Sequence, residues 1–280
     1  MIGLTEKYLI IAWNAAVEAA AAIMQVYKGN YQIDYKHDHS PVTIADQQAD
    51  AIILRYLHTT GIPVISEESE LMPFEDRKNM DQLWIVDPLD GTKEFIRHST
   101  DFTVNIALIK NGTPVLGIII APALNLGYWA TEEAGAFKTA EIRSCSFAET
   151  LISQSQPIQC SSSISEPLRV IGTKSHMNRE TELFFEKIKT RYPDAQFISV
   201  GSSLKFCKVA EGEADLYARL SPINEWDTAA GDAIVRMAGG YVQYFNSQLP
   251  TWYNKESLLQ PPFYALSSAC MNELTSLFFI

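Results

Sequence analysis

The chain has 280 residues, enough for one large domain or for two smaller ones that share an interface. Hydrophobic residues make up 47% of it and charged residues 20%, which is typical of a globular protein and excludes a disordered chain. The formal net charge of −11 disfavours nucleic acid polymers and anionic membranes as partners, because like charges repel.

The first half of the sequence predicts two helices followed by an antiparallel sheet. An alanine-rich amphipathic helix covers residues 8–24 and ends near Gly29, and polar residues interrupt it too often for a membrane span. A second helical pattern runs over residues 44–58. Short strands begin near residue 62, and a long hairpin over residues 102–120 turns at Asn111-Gly112.

The second half predicts an α/β layer. A polar, serine-rich stretch over residues 144–166 crosses from one half to the other. Strands and helices then alternate up to a last helix that opens near residue 225 and ends at a glycine pair, and one more strand follows. The fold class is therefore a layered α+β and α/β architecture. We expect an N-terminal part over residues 1–150 and a C-terminal part over residues 151–280.

The cysteines and histidines indicate no zinc ribbon and no disulfide framework. The four cysteines lack CxxC spacing, which fits a reducing, cytoplasmic location; they are Cys145, Cys160, Cys207 and Cys270. His37 and His39 have the spacing of zinc ligands, but no third ligand is evident, and a solvated loop is the simpler interpretation.

The stretch "LWIVDPLDGTKEF" places two carboxylates at the end of an apolar run. Pro88 biases Asp87 towards an extended backbone, so Asp87 and Asp90 can face one point with the carbonyl of Leu89 between them. Gly91 and the residue after it then allow a tight turn into a helix-like start. These oxygens are the ligands of a hard divalent cation, but two turn-capping aspartates are an equally good interpretation of this segment alone.

Other acids also lie at predicted strand ends or helix starts: Asp46, Glu67, Glu68 and Asp227. Carboxylates packed together repel one another unless a cation neutralises them. A site built from Glu67, Asp87, Asp90 and Asp227 has the charge to hold two or three Mg²⁺ ions, which would attract an anionic substrate. The sequence has none of the GxSxG, GxxxxGK[ST], GxGxxG or HExxH motifs.

Four stretches, in this order, resemble the inositol monophosphatase superfamily of Mg²⁺-dependent, lithium-sensitive phosphatases: "SPVTIAD", "SEES", "WIVDPLDGT" and "EWDTAAGDA". "DGTKEF", "FTVNIALI" and "GSSLKFCKVAEG" are similar to its CysQ-like branch of 3′(2′),5′-bisphosphate nucleotidases. The resemblance implies an αβαβα sandwich. It also implies hydrolysis of adenosine 3′,5′-bisphosphate to AMP and phosphate in sulfur assimilation, with the 3′-phospho-5′-phosphosulfate relative as a second substrate.

The resemblance also implies roles for individual residues. The metal ligands would be Glu67, Asp87, the Leu89 carbonyl, Asp90 and Asp227. The catalytic residues would be Asp46 and Thr92, which orient the attacking water, and Glu68, which supports a further metal or its water. The substrate-binding residues would be Glu67, Leu89, Asp90, Gly91, Thr92, Lys93, Ser175, His176, Gly201, Lys205, Arg219 and Asp227.

Two alternatives remain. One is a phosphatase of the same superfamily that acts on inositol or sugar phosphates, and the other is a non-catalytic nucleotide-binding regulator. We expect a small-molecule nucleotide substrate, no nucleic acid polymer and no stable membrane insertion. The expected state is a monomer or homodimer in the cytoplasm, with peripheral contact at the inner membrane left open.

Overall fold

The computed structural model describes residues 4–29, 33–35, 41–172, 179–245, 247 and 249–274. Its helices are α1 (Leu4–Tyr27), α2 (Ile44–Leu57), α3 (Phe74–Arg77), α4 (Thr92–Ile96), α5 (Ala148–Ser153), α6 (Arg179–Arg191), α7 (Leu204–Ala210), α8 (Ala229–Met237) and α9 (Ser268–Leu274). Its strands up to residue 157 are β1 (Ile33–Tyr35), β2 (Pro41–Thr43), β3 (Val64–Ser66), β4 (Gln82–Asp90), β5 (Thr103–Lys110), β6 (Thr113–Ala121), β7 (Leu126–Thr131), β8 (Gly135–Thr139) and β9 (Gln156–Pro157). The later strands are β10 (Arg169–Gly172), β11 (Gln196–Ser199), β12 (Leu216–Arg219), β13 (Ile223–Asn224), β14 (Tyr241–Tyr244), β15 (Leu259–Gln260) and β16 (Phe263–Leu266).

The first large sheet has the strand order β3-β4-β5-β6-β7-β8-β9. Only the β3–β4 pair is parallel among these neighbours, and the other pairs are antiparallel. At the predicted hairpin, Asn111 and Gly112 have φ values of 48° and 70°, as a two-residue turn between twisted strands requires. The prediction of a hairpin turning at Asn111-Gly112 is confirmed.

The second large sheet has the order β11-β10-β12-β16-β14. Strand β10 is parallel to both β11 and β12, whereas β16 is antiparallel to β12 and β14. The parallel pairs follow from helical crossovers, α6 between β10 and β11 and α7 between β11 and β12. This part has the alternating α/β character that the sequence predicts.

Successive side chains of the strands point to opposite faces of each sheet, and helices cover both faces, so that five layers form. On β4, Trp84 and Val86 pack with α1 and α2 on one face, and Leu83 and Ile85 pack with α7 and α8 on the other. The second sheet covers the far side of α7 and α8, and its outer face is covered by α6 and α9. The layer order is helix, sheet, helix, sheet, helix, which confirms the predicted αβαβα sandwich.

Helix α8 lies very close to the first sheet at Gly117 of β6. A Cβ at Gly117 would lie 2.5 Å from the Ala230 carbonyl oxygen and 2.7 Å from Ala233 Cβ, so only glycine permits this approach. The contact fixes the beginning of α8, and with it the preceding loop, against the strands of the first sheet.

Helix α1 is, by length and composition alone, long and apolar enough over Thr5–Tyr27 to cross a membrane. That measure takes no account of packing, and a helix in the core of a globular protein meets it as well. In the structure, Ala12, Trp13 and Ala16 of α1 are completely buried in the outer helical layer against the first sheet. Trp13 Nε1 also donates to the Arg143 carbonyl oxygen at 2.8 Å.

Two details of the second half differ from the sequence predictions. The serine-rich stretch contains α5, and its strand β9 pairs with β8 at the edge of the first sheet. The helix near residue 225 is not the last one, because α9 follows β16. The division near residue 150 stays a prediction. Beyond that position, β9 is the edge strand of the first sheet and α8 packs against the same sheet.

Candidate active site

The end of β4 presents two acids of the proposed site. Asp87 lies opposite Asn105 in the β4–β5 register and Asp90 lies opposite Thr103, with a register shift between the two pairs. Strand β4 therefore continues through Pro88 rather than ending at Asp87, and the irregularity turns both carboxylates to one side. The Leu89 amide donates to Asp87 Oδ1 at 3.0 Å, which holds that carboxylate in place.

Asp227 reaches the same point from the loop before α8. Ligand oxygens of Asp87, Asp90 and Asp227 all lie within 4.8 Å of one another. The Asn224 amide donates to Asp227 Oδ2 at 2.9 Å and fixes its side chain. The structure thus brings together three of the predicted metal ligands from distant parts of the sequence, with Leu89 between the first two.

The electrostatics of this cluster fit a divalent cation. Burial, and then the charges of Glu67 and Asp90, raise the pKa of Asp87 well above its ordinary value. Burial, and then the charges of Asp90 and Glu67, also raise the pKa of Asp227 well above its ordinary value. Asp87 Oδ2 is buried and has no hydrogen-bond partner among the described residues. A buried carboxylate oxygen without a donor, facing other carboxylates, is what a cation site requires.

The "SEES" motif forms a turn directly after β3, next to the acid-bearing strand. The Glu67 amide donates to the Val86 carbonyl oxygen at 3.2 Å, and Glu67 lines the cavity described below. Asp50 of α2 accepts from Ser66 Oγ at 2.5 Å and from Ser69 Oγ at 3.1 Å, so both ends of the turn are held. Glu68 is half-buried and lies outside the cavity lining.

Asp46 occupies the first turn of α2 and uses its two oxygens differently. Oδ2 accepts from the amide of Thr43 at 2.8 Å and from its hydroxyl at 2.7 Å, which makes a capping box with Thr43 as the N-cap. Oδ1 accepts from Thr92 Oγ1 at 3.0 Å. Burial raises the pKa of Asp46, and its hydrogen bonds to Thr43 and Thr92 oppose that rise. Asp46 lies behind Thr92, which itself lines the cavity.

A cavity of about 540 Å³ opens in front of the acids. The cations on its wall are Lys93, Arg97, Lys205 and Arg219. Lys205 Nζ donates to the Ser202 carbonyl oxygen at 2.8 Å, and burial lowers the pKa of Lys205. The predicted substrate residues Gly91, Lys93, Gly201, Lys205 and Arg219 all line this cavity, whereas Ser175 and His176, like His37 and His39, lie outside the described residues.

Sequence reasoning missed the polar residues that support the acids. Ser202 Oγ and Ser203 Oγ lie 2.6 Å and 2.8 Å from Asp90 Oδ2, and Asn105 Nδ2 lies 2.9 Å from Ser203 Oγ. The signal for Asn105 was present: Thr103 and Asn105 are polar residues two positions apart in an otherwise apolar strand, so they share one face. Nothing in the sequence links that face to residues 202 and 203.

Five alternating layers with a partly buried carboxylate cluster beside the end of β4 define a class of metal-dependent phosphatases. The chain belongs to the inositol monophosphatase family, whose model matches residues 4–274.

Named relatives agree with this assignment. The 3′(2′),5′-bisphosphate nucleotidase CysQ of Salmonella typhimurium is 41% identical over 258 residues, which cover 89% of this chain and 95% of that protein. The crystal structure of CysQ from Bacteroides thetaiotaomicron has 39% identity and a TM-score of 0.86, covering 94% of this chain and 98% of that one. The inositol monophosphatase of Thermotoga maritima has 24% identity and a TM-score of 0.77, and the match covers 97% of this chain and 96% of that one. At this identity the comparison shows a likeness of fold alone.

Proposed function

We propose that this chain is a 3′(2′),5′-bisphosphate nucleotidase, a phosphoric monoester hydrolase. Its reaction would convert adenosine 3′,5′-bisphosphate into AMP and phosphate in sulfur assimilation, with the 3′-phospho-5′-phosphosulfate relative as a second substrate. The observation that carries hydrolysis is the Asp87–Asp90–Asp227 cluster, with Asp87 buried and the other two acids partly buried, facing a cavity with cationic walls. The nucleotide substrate is supported by the 41% identity to a named nucleotidase over most of both chains.

The proposed cofactor is Mg²⁺, as two or three ions. The ligands would be Glu67, Asp87, the Leu89 carbonyl, Asp90 and Asp227, and Glu68 would support a further ion or its water. When bound, Mg²⁺ neutralises charge on the phosphoryl oxygens and acidifies water. The raised pKa values of Asp87 and Asp227 support this, because carboxylates held close together out of water ionise more readily when a cation lies beside them.

Asp46 and Thr92 are proposed to orient the attacking water. Thr92 Oγ1 has one proton, and the contact with Asp46 Oδ1 directs that proton away from the cavity. The lone pairs of Thr92 Oγ1 are then free to accept a hydrogen bond from water on the cavity side. Phosphoryl transfer depends mainly on such positioning and on charge neutralisation.

The cavity supports a substrate with a second anionic group. Arg219 Nε donates to the Ser221 carbonyl oxygen at 3.2 Å, and Lys205 is held by the Ser202 carbonyl, so both cations have fixed positions. We assign them, with Lys93, Ser175, His176 and Gly201, to the nucleotide beyond the scissile phosphate. The remaining substrate contacts would come from Glu67, Leu89, Asp90, Gly91, Thr92 and Asp227.

Phosphate release from a small substrate panel tests this proposal. The panel contains adenosine 3′,5′-bisphosphate, its phosphosulfate relative, AMP, inositol 1-phosphate and fructose 1,6-bisphosphate. The bisphosphate nucleotide is expected to have the highest kcat/KM, with AMP left as product. Preference for inositol 1-phosphate or the sugar bisphosphate would assign another activity within the family. Nucleotide binding without phosphate release from any substrate would indicate a regulator.

The proposed partner is a small nucleotide only, without a nucleic acid polymer and without stable membrane insertion. The proposed location is the cytoplasm, with any membrane contact peripheral, and the proposed state is a monomer or homodimer. Fractionation of cells tests the location and the absence of membrane insertion, and light scattering of the purified protein tests the oligomeric state.

A further inference from the structure

A polar network behind Asp90 connects the two parts of the chain that carry the acidic site. Ser203 Oγ lies 2.8 Å from Asp90 Oδ2 and 2.9 Å from the Asp227 carbonyl oxygen, so one hydroxyl contacts both acidic residues. Asn105 Nδ2 lies 2.9 Å from the same Ser203 oxygen. We propose that Asn105, acting through Ser203, is a positioning residue that orients Asp90 as a metal ligand. The inference rests on the metal site of the proposed function.

The direction of the hydrogen bonds follows from the partners of Ser203. The ionised Asp90 carboxylate and the Asp227 carbonyl are both acceptors, so the single proton of Ser203 is committed to them. The third partner of Ser203 must therefore be a donor, and the amide nitrogen of Asn105 meets that requirement. Asn105 Oδ1 faces the other way and accepts from Thr103 Oγ1 at 2.9 Å.

The surroundings give this network a fixed geometry. Asn105 and Ser203 are only 1% and 2% exposed, so bulk water does not replace their contacts. Ser202 Oγ also contacts Asp90 Oδ2, at 2.6 Å, and it contacts Thr103 Oγ1 at 2.6 Å. Because both serines use Oδ2 of Asp90, Oδ1 is the oxygen left for a cation.

The position of Asn105 on β5 explains why an amide is used there. It lies opposite Asp87 in the strand register and next to the acids. A carboxylate at 105 would add to the repulsion and would offer Ser203 an acceptor instead of a donor. An apolar residue at 105 would not donate to Ser203. The Ser203 hydroxyl would then lose the contact that keeps its own proton pointing at Asp90 and the Asp227 carbonyl oxygen. Loss of a hydrogen-bond partner behind a metal ligand typically weakens metal binding about 10–100-fold.

Mn²⁺ binding to the substrate-free protein tests the inference directly. The loss of the free Mn²⁺ electron paramagnetic resonance signal would be measured for the wild type, Asn105→Leu, Ser203→Ala and the double variant. Leucine is close to asparagine in shape but has no donor. Each single variant is expected to bind Mn²⁺ about 10–100-fold more weakly. The double variant is expected to bind no more weakly than Ser203→Ala, because Asn105 acts through Ser203.

Asn14→Leu is the matched control. Asn14 is less buried than Asn105 but likewise makes two hydrogen bonds, accepting from the Cys145 amide and donating to the Cys145 carbonyl oxygen, and it lies on α1. Its variant should lose thermal stability and keep the wild-type Mn²⁺ affinity. A purely structural Asn105 would behave like Asn14, and additive losses in the double variant would mean that Asn105 does not act through Ser203.

Each remaining outcome also decides the question. If Asn105→Leu does not fold, Asn105→Ala takes its place with the same expectation. Wild-type Mn²⁺ affinity in Ser203→Ala overturns the inference whichever variant of Asn105 is used. Absence of Mn²⁺ binding by the wild-type protein would instead refute the metal site of the proposed function.

Discussion

Thr92 Oγ1 donates to Asp46 Oδ1 at 3.0 Å, which joins the start of α4 to the first turn of α2. The other Asp46 oxygen completes the capping box with Thr43. The structure thus gives the capping of α2 and the holding of Thr92 to different oxygens of the same carboxylate. A substitution at Asp46 therefore has to be designed to affect only one of them.

Asp46→Asn is expected to separate the two tasks. The Thr43 amide can only donate, so the oxygen of the introduced asparagine will face Thr43 and its NH₂ group will face Thr92. Thr92 then accepts from this NH₂ group and directs its own proton elsewhere, for example to the Leu89 carbonyl oxygen 3.3 Å away. We expect kcat to fall roughly 10²–10⁴-fold, the usual size of general-base assistance, with near-wild-type melting and substrate binding.

Thr43→Ala is the control for the capping role. It removes the N-cap hydroxyl and should cost about 0.5–2 kcal/mol of stability, while Asp46 still accepts from the backbone at position 43. Its kcat should change far less than that of Asp46→Asn. If Asp46→Asn keeps most of its turnover, Asp46 serves only as part of the cap.

Metal exchange is expected to control turnover. A chelator should abolish phosphate release, Mg²⁺ should restore it, and excess Ca²⁺ should suppress it, because Ca²⁺ is larger and accepts looser coordination. Membership of the family implies inhibition by lithium as well. Steady-state rates with each ion check these outcomes, and full turnover in chelator would exclude a metal mechanism.

Lys205→Ala should weaken use of the bisphosphate nucleotide more than use of a simple monophosphate. Loss of a charge-assisted hydrogen bond to the second phosphate should cost about 1.5–3 kcal/mol in kcat/KM. The control is Lys208→Ala on the same helix, where Lys208 pairs with Glu211 and Glu213 instead. Equal losses on both substrates would mean that Lys205 acts by holding the Ser202 carbonyl.

The sequence predicts the layers because burial follows the strand and helix periods directly. The alternation around Asn111-Gly112 indicates both the hairpin and the faces of its strands, and the structure has both. It does not predict α5 or β9, since a short helix in a serine-rich stretch and a two-residue edge strand have almost no periodicity. For α1, length and composition alone would also fit a membrane span, and only the structure shows that Ala12, Trp13 and Ala16 are buried in the fold.

The acids of the site were predictable because they occur in local motifs, and the motifs resemble a known family. The convergence of Asp87, Asp90 and Asp227 is a finding of the structure. Ser203 and Asn105 were not predictable, because their contact joins residues 98 positions apart through one hydroxyl. Such a pair becomes visible only when β5 and α7 are placed side by side.

Arg236→Met is expected to destabilise the protein strongly. Asp232 on α8 is completely buried, and Arg236 donates to it through Nε at 2.5 Å and Nη2 at 3.0 Å. Removing the arginine leaves a buried charge without its partner, which typically costs about 3–5 kcal/mol. Urea unfolding measures the loss. Adding Asp232→Asn to the Arg236→Met variant should recover part of the lost stability. If the double variant recovers none, Arg236 stabilises the protein mainly through its contacts with Thr251.

The contribution of Asp87 and Asp227 to the stability of the metal-free protein should fall as pH rises above the ordinary pKa of an aspartate, about 4. The folded pKa values of Asp87 and Asp227 are raised well above their unfolded values, mainly by burial. Between the unfolded and folded pKa values the folded state binds more protons than the unfolded chain, so the free energy of unfolding decreases with pH. Mg²⁺ competes with those protons, so the increase in Tm that it causes should grow over the same range.

Melting curves from about pH 5 to about pH 8, with chelator and with Mg²⁺, measure both trends. Asp87→Asn, which cannot ionise, should flatten the chelator series, and a slope equal to that of the wild type would show that other groups set the pH dependence.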